Sequence, residues 1–266
     1  MWVTDLPLWL GLLVSVAGFL ALSWAILLLL RRWVRRASHG APEWDRVLGY
    51  VTAAYGVLYG VTLAMIAAAA FSHSTDVDDI VLRESSSVAV LYRDASGFGE
   101  PTASELRQAL AAYTEDVVEH DWPQQQAGTK PEEARAEIDE IQRLLFSYEP
   151  ATAGQQQVQN QAIGAFNQFV ADRRERIAIT GLALPSVLWV VVLVGAVLNA
   201  VLIALVEVRN LRAHLIMSGL IAAYVALVVY AIATFDSPYS GAVAVGPGYF
   251  VDLLDGLFAG SRGAGG

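Results

Sequence analysis

Val47-Leu-Gly-Tyr-Val-Thr-Ala-Ala-Tyr-Gly-Val-Leu-Tyr-Gly-Val-Thr-Leu-Ala-Met-Ile66, continued by Ala67 to Ala70 and Phe71, carries no charge from end to end. A helix needs roughly 20 apolar residues to cross a ~30 Å hydrocarbon core. This run exceeds that length, so it spans a membrane. Arg46 precedes it, and beyond Phe71 the chain turns polar with His73, Asp76, Asp78 and Asp79.

Two stripes are legible within the span. Gly56, Gly60, Ala64 and Ala68 recur every fourth residue, and Gly49 and Ala53 extend that row toward the start. Small residues at this spacing let a second helix approach closely, and close packing does inside lipid what the hydrophobic effect does in water. Thr52, Tyr55, Tyr59, Thr62 and Ile66 form a second stripe at helical spacing on another face. It has two readings. The tyrosine hydroxyls bond to neighbouring helices, or the stripe lines a conduit in an oligomer.

The rest of the chain is consistent with a membrane protein: 55% of its 266 residues are hydrophobic, 16% are charged, and the mean hydropathy is +0.46. Residues 1–71 and 179–235 are apolar, whereas 72–178 hold nineteen acidic against nine basic residues. The net charge of −9 therefore resides in the central region, which argues against nucleic acid or an anionic lipid surface as the partner of that region. Cysteine is absent, which excludes thiol chemistry and disulfides.

In chain order, residues 6–30 form the first span, read as a retained helix because the opening Met-Trp-Val-Thr-Asp lacks the basic start of a signal peptide. The second covers 47–71. Apolar residues at Val77, Ile80, Val81, Val88 and Leu91 carry a helical face well past the bilayer until Gly97, Gly99 and Pro101 break it. Thr102 or Ser104 caps a helix to His120 that Pro123 closes. Lys130-Pro-Glu-Glu opens another to Tyr148, and a last one starts near Thr152 and runs to Arg173-Arg-Glu-Arg. These elements predict an antiparallel helical bundle over 72–178, outside the bilayer and inserted between spans 2 and 3. The third span covers 177–206 with a kink at Pro185 and Asn199 deep within it, and the fourth covers 215–235. Residues 236–266 are a C-terminal tail, with the Gly-rich stretch Gly256 to Gly266 expected to be disordered. The expected fold is all-α and integral to the membrane, with four transmembrane helices.

Orientation follows from short-loop arginines. Arg31, Arg32, Arg35, Arg36 and Arg46 lie between spans 1 and 2, and Arg209 and Arg212 between spans 3 and 4. Counting them as cytoplasmic places both termini and the bundle outside the cytoplasm. Arg173, Arg174 and Arg176, on the bundle's side, run against that count.

No stretch brings a nucleophile or metal set together with a base. His73 and Asp76 share a helix face, but the glycine and closing glutamate of a calcium loop are missing, and Ser85–Ser87 has no Gly-rich turn or adjacent base. No catalytic residue, metal ligand or cofactor is therefore assigned, and an enzyme is not expected.

Tyr55-Gly-Val-Leu-Tyr-Gly, Arg83-Glu-Ser with Leu91-Tyr-Arg-Asp-Ala, Val117-Val-Glu-His-Asp-Trp-Pro, Asp172-Arg-Arg, Leu184-Pro-Ser-Val-Leu-Trp and Asp236-Ser-Pro-Tyr-Ser-Gly together resemble the bacterial bestrophin-like membrane proteins. True bestrophins share the plan of four spans with helices between the second and third, and look like pentameric ion channels whose second span lines a hydrophobic neck. The resemblance thus implies a pore lined by the second span, with Tyr55, Tyr59, Thr62 and Ile66 as candidates. This chain departs from them in two ways: no dense acidic calcium clasp follows the fourth span, and arginine counting puts the bundle outside.

The functional expectation is a homo-oligomeric, ring-forming ion channel or pore in the bacterial cytoplasmic (inner) membrane, passing small inorganic ions. The acidic bundle favours cations. The competing expectation is a non-conducting scaffold or sensor whose bundle binds a partner protein. A transporter would call for inverted repeats or charged span interiors, and the spans carry no ionisable residue other than tyrosine.

Overall fold

A computed structural model of the chain describes residues 7–37, 42–131, 135–241 and 243–259. All regular elements among them are helical. The elements are α1 (Leu8–Ala37), α2 (Pro42–Asp94), α3 (Thr102–Asp116), α4 (Trp122–Gln126), α5 (Arg135–Ser147), α6 (Ala153–Ala178), α7 (Ser186–Ala204), α8 (Leu211–Phe235) and α9 (Gly248–Asp252). Helices α1, α2, α7 and α8 are each long and apolar enough to cross a membrane. Their outer surfaces suit lipid rather than water, with Leu29 at 79% exposure and Leu58 at 70%.

Two units divide the chain: residues 1–74 with 183–243, and residues 75–182 with 244–266. Helix α2 contributes to both.

In the first unit, Tyr59, Leu63, Ile66 and Ala70 of α2 meet Val192 and Ala196 of α7 and Val225, Val229 and Ile232 of α8, with Phe19 of α1 against them. Each comes from its helix at three- or four-residue spacing, which puts one face of the helix inward. Polar ties fix the ends. Trp24 Nε1 donates to the Leu215 carbonyl at 3.0 Å and Trp44 Nε1 to the Leu205 carbonyl at 3.3 Å.

The second unit buries Leu91, Leu106, Leu110, Tyr113, Val117, Ile141, Leu145, Phe166 and Phe169. Thr152 caps α6 by accepting from the Gln155 N–H, as its position suggests. At the start of α3 neither Thr102 nor Ser104 plays that part; the Glu100 carboxylate accepts from the Ser104 N–H instead.

Several boundaries differ from the sequence expectations. α1 continues through its arginines to Ala37, because arginine is a good helix former. The loop glycine Gly40 lies outside the described residues, as do Met1 to Leu6, and Pro42 opens α2 as a first-turn proline can. Pro123 does not close the helix to His120. A π turn over Val117–Asp121, with the Trp122 N–H reaching the Val117 carbonyl, widens the backbone there, and Pro123 falls in the first turn of the continuing α4. Residues 177–206 are not one kinked span. Gly181 at φ 76° ends the run from α6, and Pro185 precedes α7 rather than bending it. Residues 132–134, in the Lys130-Pro-Glu-Glu start, are outside the described residues. The tail is partly ordered: α9 and a π turn over Leu253–Leu257 return to the second unit, where Phe250 and Phe258 are fully buried. Residues 260–266 lie outside the described set.

Candidate functional site

Helix α2 meets α7 through its tyrosines. Tyr55 donates its hydroxyl hydrogen to the Gly195 carbonyl at 2.6 Å, and Tyr59 donates to the Val192 carbonyl at 2.8 Å. A helical carbonyl keeps a second lone pair for such a donor, and a phenol inside lipid must find one. The two rings stack with centroids 5.7 Å apart. Gly195 permits this approach, since a Cβ there would collide with the Tyr59 ring. Ile66 is buried beside Tyr59, Thr62 bonds back to the Leu58 carbonyl at 2.9 Å, and the buried hydroxyl oxygen of Thr52 has no partner among the described residues. A groove of about 390 Å³ runs along this contact, lined in part by Tyr55, Tyr59, Thr62, Val194 and Leu198.

The small-residue row points elsewhere. Gly56, Gly60, Ala64 and Ala68 are all exposed, and nothing lies within 4 Å of a Cβ built on Gly56 or Gly60. Within one chain the tyrosine stripe is therefore the packed face of α2, and the small-residue row is the open one.

The second unit holds a buried polar centre that sequence reading did not find. Arg176 of α6 is fully buried; its Nε and Nη2 donate to the two Glu84 oxygens at 2.6 and 3.1 Å, and Nη2 also reaches Asp121 Oδ2 at 3.0 Å. Nη1 donates to the Gln125 side-chain oxygen, whose amide nitrogen donates to Thr180 Oγ1 at 2.8 Å. Tyr113 donates to Glu84 Oε1 at 2.5 Å, and the Trp122 and Phe250 rings stand 5.9 Å from the guanidinium carbon. Burial pushes the Asp121 carboxyl above its ordinary value against the pull of Arg176, and its Oδ1 is buried without a partner among the described residues. Burial, reinforced by Glu84, holds the Tyr113 phenol well above its usual range. This chemistry locks helices together and offers no nucleophile.

A signal for it existed. Arg176 continues the buried row Ala162, Phe166, Phe169 and Asp172 of α6; Glu84 interrupts Val77, Ile80, Val81, Val88 and Leu91 of α2; and Asp121 and Gln125 extend Leu110, Tyr113 and Val117. A charge on an apolar seam needs a charged partner on another seam. Reading Arg173, Arg174 and Arg176 for topology alone passed over this.

In the first unit, Asp236 Oδ1 accepts from the Leu184 N–H at 2.5 Å and Oδ2 from Trp189 Nε1 at 2.9 Å. Asn199 lines a small gap beside Ser23 and Ala222. On the helix face that His73 and Asp76 share, Asp76 is exposed, and Asp78 accepts from the Tyr249 hydroxyl at 3.2 Å. Among the described residues no group of three or more His, Cys, Asp or Glu is placed to hold a metal ion.

The stretches quoted above thus meet in two places. Arg83-Glu-Ser, Val117-Val-Glu-His-Asp-Trp-Pro and the helix that carries Asp172-Arg-Arg build the Arg176 centre, and Leu184-Pro-Ser-Val-Leu-Trp is joined to Asp236-Ser-Pro-Tyr-Ser-Gly. A family model described as the Bestrophin-like domain matches residues 17–250. No curated protein and no solved structure matches the chain.

Proposed function

The chain belongs to the bestrophin-like family, and on that premise we propose that it is a homo-oligomeric ion channel, not an enzyme, of the bacterial inner membrane, with α2 lining the ion path. The observation that carries the proposal is the open face of α2. Ala53, Gly56, Gly60, Ala64 and Ala68 lie along it, flanked by Val57 at 67% and Met65 at 69% exposure, while the same helix anchors to α7 by Tyr55 and Tyr59. A helix held on one side and smooth on the other suits close approach of its symmetry mates around an axis. In that arrangement Tyr59 and Ile66 support the lining, and the half-buried Thr52, Tyr55 and Thr62 stand at its edge. The acidic surplus over 72–178 is the ground for a preference for cations.

The test is oligomeric mass in nanodiscs followed by ion flux in liposomes. A ring that conducts, and whose flux changes when Gly60→Leu narrows the open face, supports the reading. A silent monomer or dimer across voltage, calcium and pH sinks it and favours a scaffold.

A further inference from the structure

We propose that the arginine-rich end of the first unit is a docking surface for the phosphate headgroups of anionic lipids in the membrane that the protein spans. Three separate segments bring the charge together: the end of α1 with Arg31, Arg32 and Arg36, the start of α2 with Arg46, and the α7–α8 turn with Arg209 and Arg212. Trp24 ties α1 to the Leu215 carbonyl of α8, and Trp44 ties the start of α2 to the Leu205 carbonyl at the end of α7. The turn itself is pinned. The buried His214 ring nitrogen lies 3.0 Å from the Ile203 carbonyl, and the Asn210 side chain accepts from the Arg212 N–H at 3.0 Å. The arginines are therefore presented by a fixed frame.

None of these six guanidinium groups has a carboxylate partner among the described residues, and all but the half-buried Arg31 are exposed. Glu43, Asp45 and Glu207 lie on the same segments, but with Arg35 the arginines outnumber them, so in a chain of net charge −9 this end carries a net positive charge, whereas the arginines of the second unit Arg83, Arg143 and Arg176 are paired with acids. The patch borders an apolar surface on the same helices: Leu29, Trp33 at 55%, Val47 and Ile216 are exposed beside it. A partner that offers an anion directly above an apolar body is a phospholipid, and guanidinium groups bind phosphate oxygens in pairs. Arginines near span ends also act as orientation signals during insertion. That role alone predicts no lipid preference in the folded protein, so the two are separable.

The experiment uses the purified full chain in a neutral detergent, titrated with phosphatidylglycerol, phosphatidylcholine or inorganic phosphate, and reads bound lipid by native mass spectrometry and the shift in unfolding temperature. We expect retention of phosphatidylglycerol on the order of tenfold above phosphatidylcholine, weakening as salt rises. Arg32→Gln with Arg36→Gln, and separately Arg209→Gln with Arg212→Gln, each lower that preference severalfold, while Arg143→Gln on the second unit leaves it unchanged. Equal retention of the two lipids by the unaltered protein overturns the proposal, whatever the variants do. So does full competition by inorganic phosphate, which would make the site one for a free anion. Neither readout depends on conduction, so a silent protein that keeps the lipid preference fails the channel reading and not this one.

Discussion

Arg176 and Glu84, 92 residues apart, form a two-bond ion pair at 2.6 and 3.1 Å with both side chains wholly out of water. The pair joins α6 to α2 where each helix would otherwise present an unbroken apolar seam. Removing one partner leaves the other charged in a low-dielectric interior, at a cost of about 3–5 kcal/mol. Glu84→Gln and Arg176→Met should each lower stability by about that much, and their combination should cost less than the two added together. Unfolding of the four proteins in detergent checks this. Simple additivity would mean the pair is not coupled.

Gly195 and Gly60 test the two faces of α2 against each other. A methyl at Gly195 meets the Tyr59 ring and forces a shift, so Gly195→Ala should destabilise the first unit by about 1–3 kcal/mol. The same change at Gly60 meets nothing within 4 Å, and should be neutral or stabilising within about 1 kcal/mol in the isolated subunit. Any loss from Gly60→Ala should appear only in assembly, as a lower oligomeric mass at a given protein concentration. If both substitutions lowered the unfolding temperature of the monomer equally, the open face would be packed after all.

The contrast between these glycines shows what the sequence makes legible. The period of Gly56, Gly60, Ala64 and Ala68 identifies a smooth face, and length with apolarity identifies four membrane-crossing helices, because both depend on local spacing. Which stripe faces α7 depends on a partner far along the chain, and a period cannot name its partner: Gly195 is one glycine in an apolar span until Tyr59 is seen against it. The same limit hid the Arg176 centre, whose members sit on three seams that only the folded chain brings together. Pro185 and Pro123 misled for a different reason. A proline marks a break in the hydrogen-bond ladder, but whether it bends, starts or merely widens a helix depends on the turn before it, a glycine turn in one case and a π turn in the other.

Asp121 sets a pH dependence with a definite sign. Its carboxyl is raised from an ordinary 3.8 by burial, which outweighs the attraction of Arg176. The folded state thus holds this proton more tightly than the unfolded chain does. The contribution is fully present below the unfolded value and is lost as pH rises through the folded one. Around it stand Glu84 from α2, Tyr113 and Asp116 from the α3 side, and Arg173 and Arg176 from α6. Other carboxylates titrate in the same range, so the difference between the unaltered protein and Asp121→Asn is the quantity to follow. The unaltered protein should gain on the variant as pH is lowered from neutrality toward 4, and a difference in unfolding temperature that stays flat would refute the assignment.

Asp236 gives the prediction that bears most directly on how α7 begins. The N–H groups at a helix start lack helical partners, and Pro185 leaves the Leu184 N–H just outside the first turn of α7 with the Asp236 carboxylate as its acceptor. The second oxygen takes the Trp189 indole, one turn into α7, so a single carboxylate at the end of α8 fixes both the entry and the first turn of its neighbour. Asp236→Ala abandons two half-buried donors and should cost about 1–2 kcal/mol. Asp236→Asn keeps one acceptor oxygen but turns an amide N–H₂ toward the other donor, so its cost should fall between the variant and the unaltered protein. Trp189→Phe removes only the indole bond. Because that bond no longer exists once Asp236 is alanine, the tryptophan change should cost less in the Asp236→Ala background than alone, by roughly 0.5 kcal/mol or more. Denaturant titration of the single and double variants in detergent measures the coupling; equal costs in both backgrounds would mean that Trp189 is held by packing and that the carboxylate serves only the Leu184 amide.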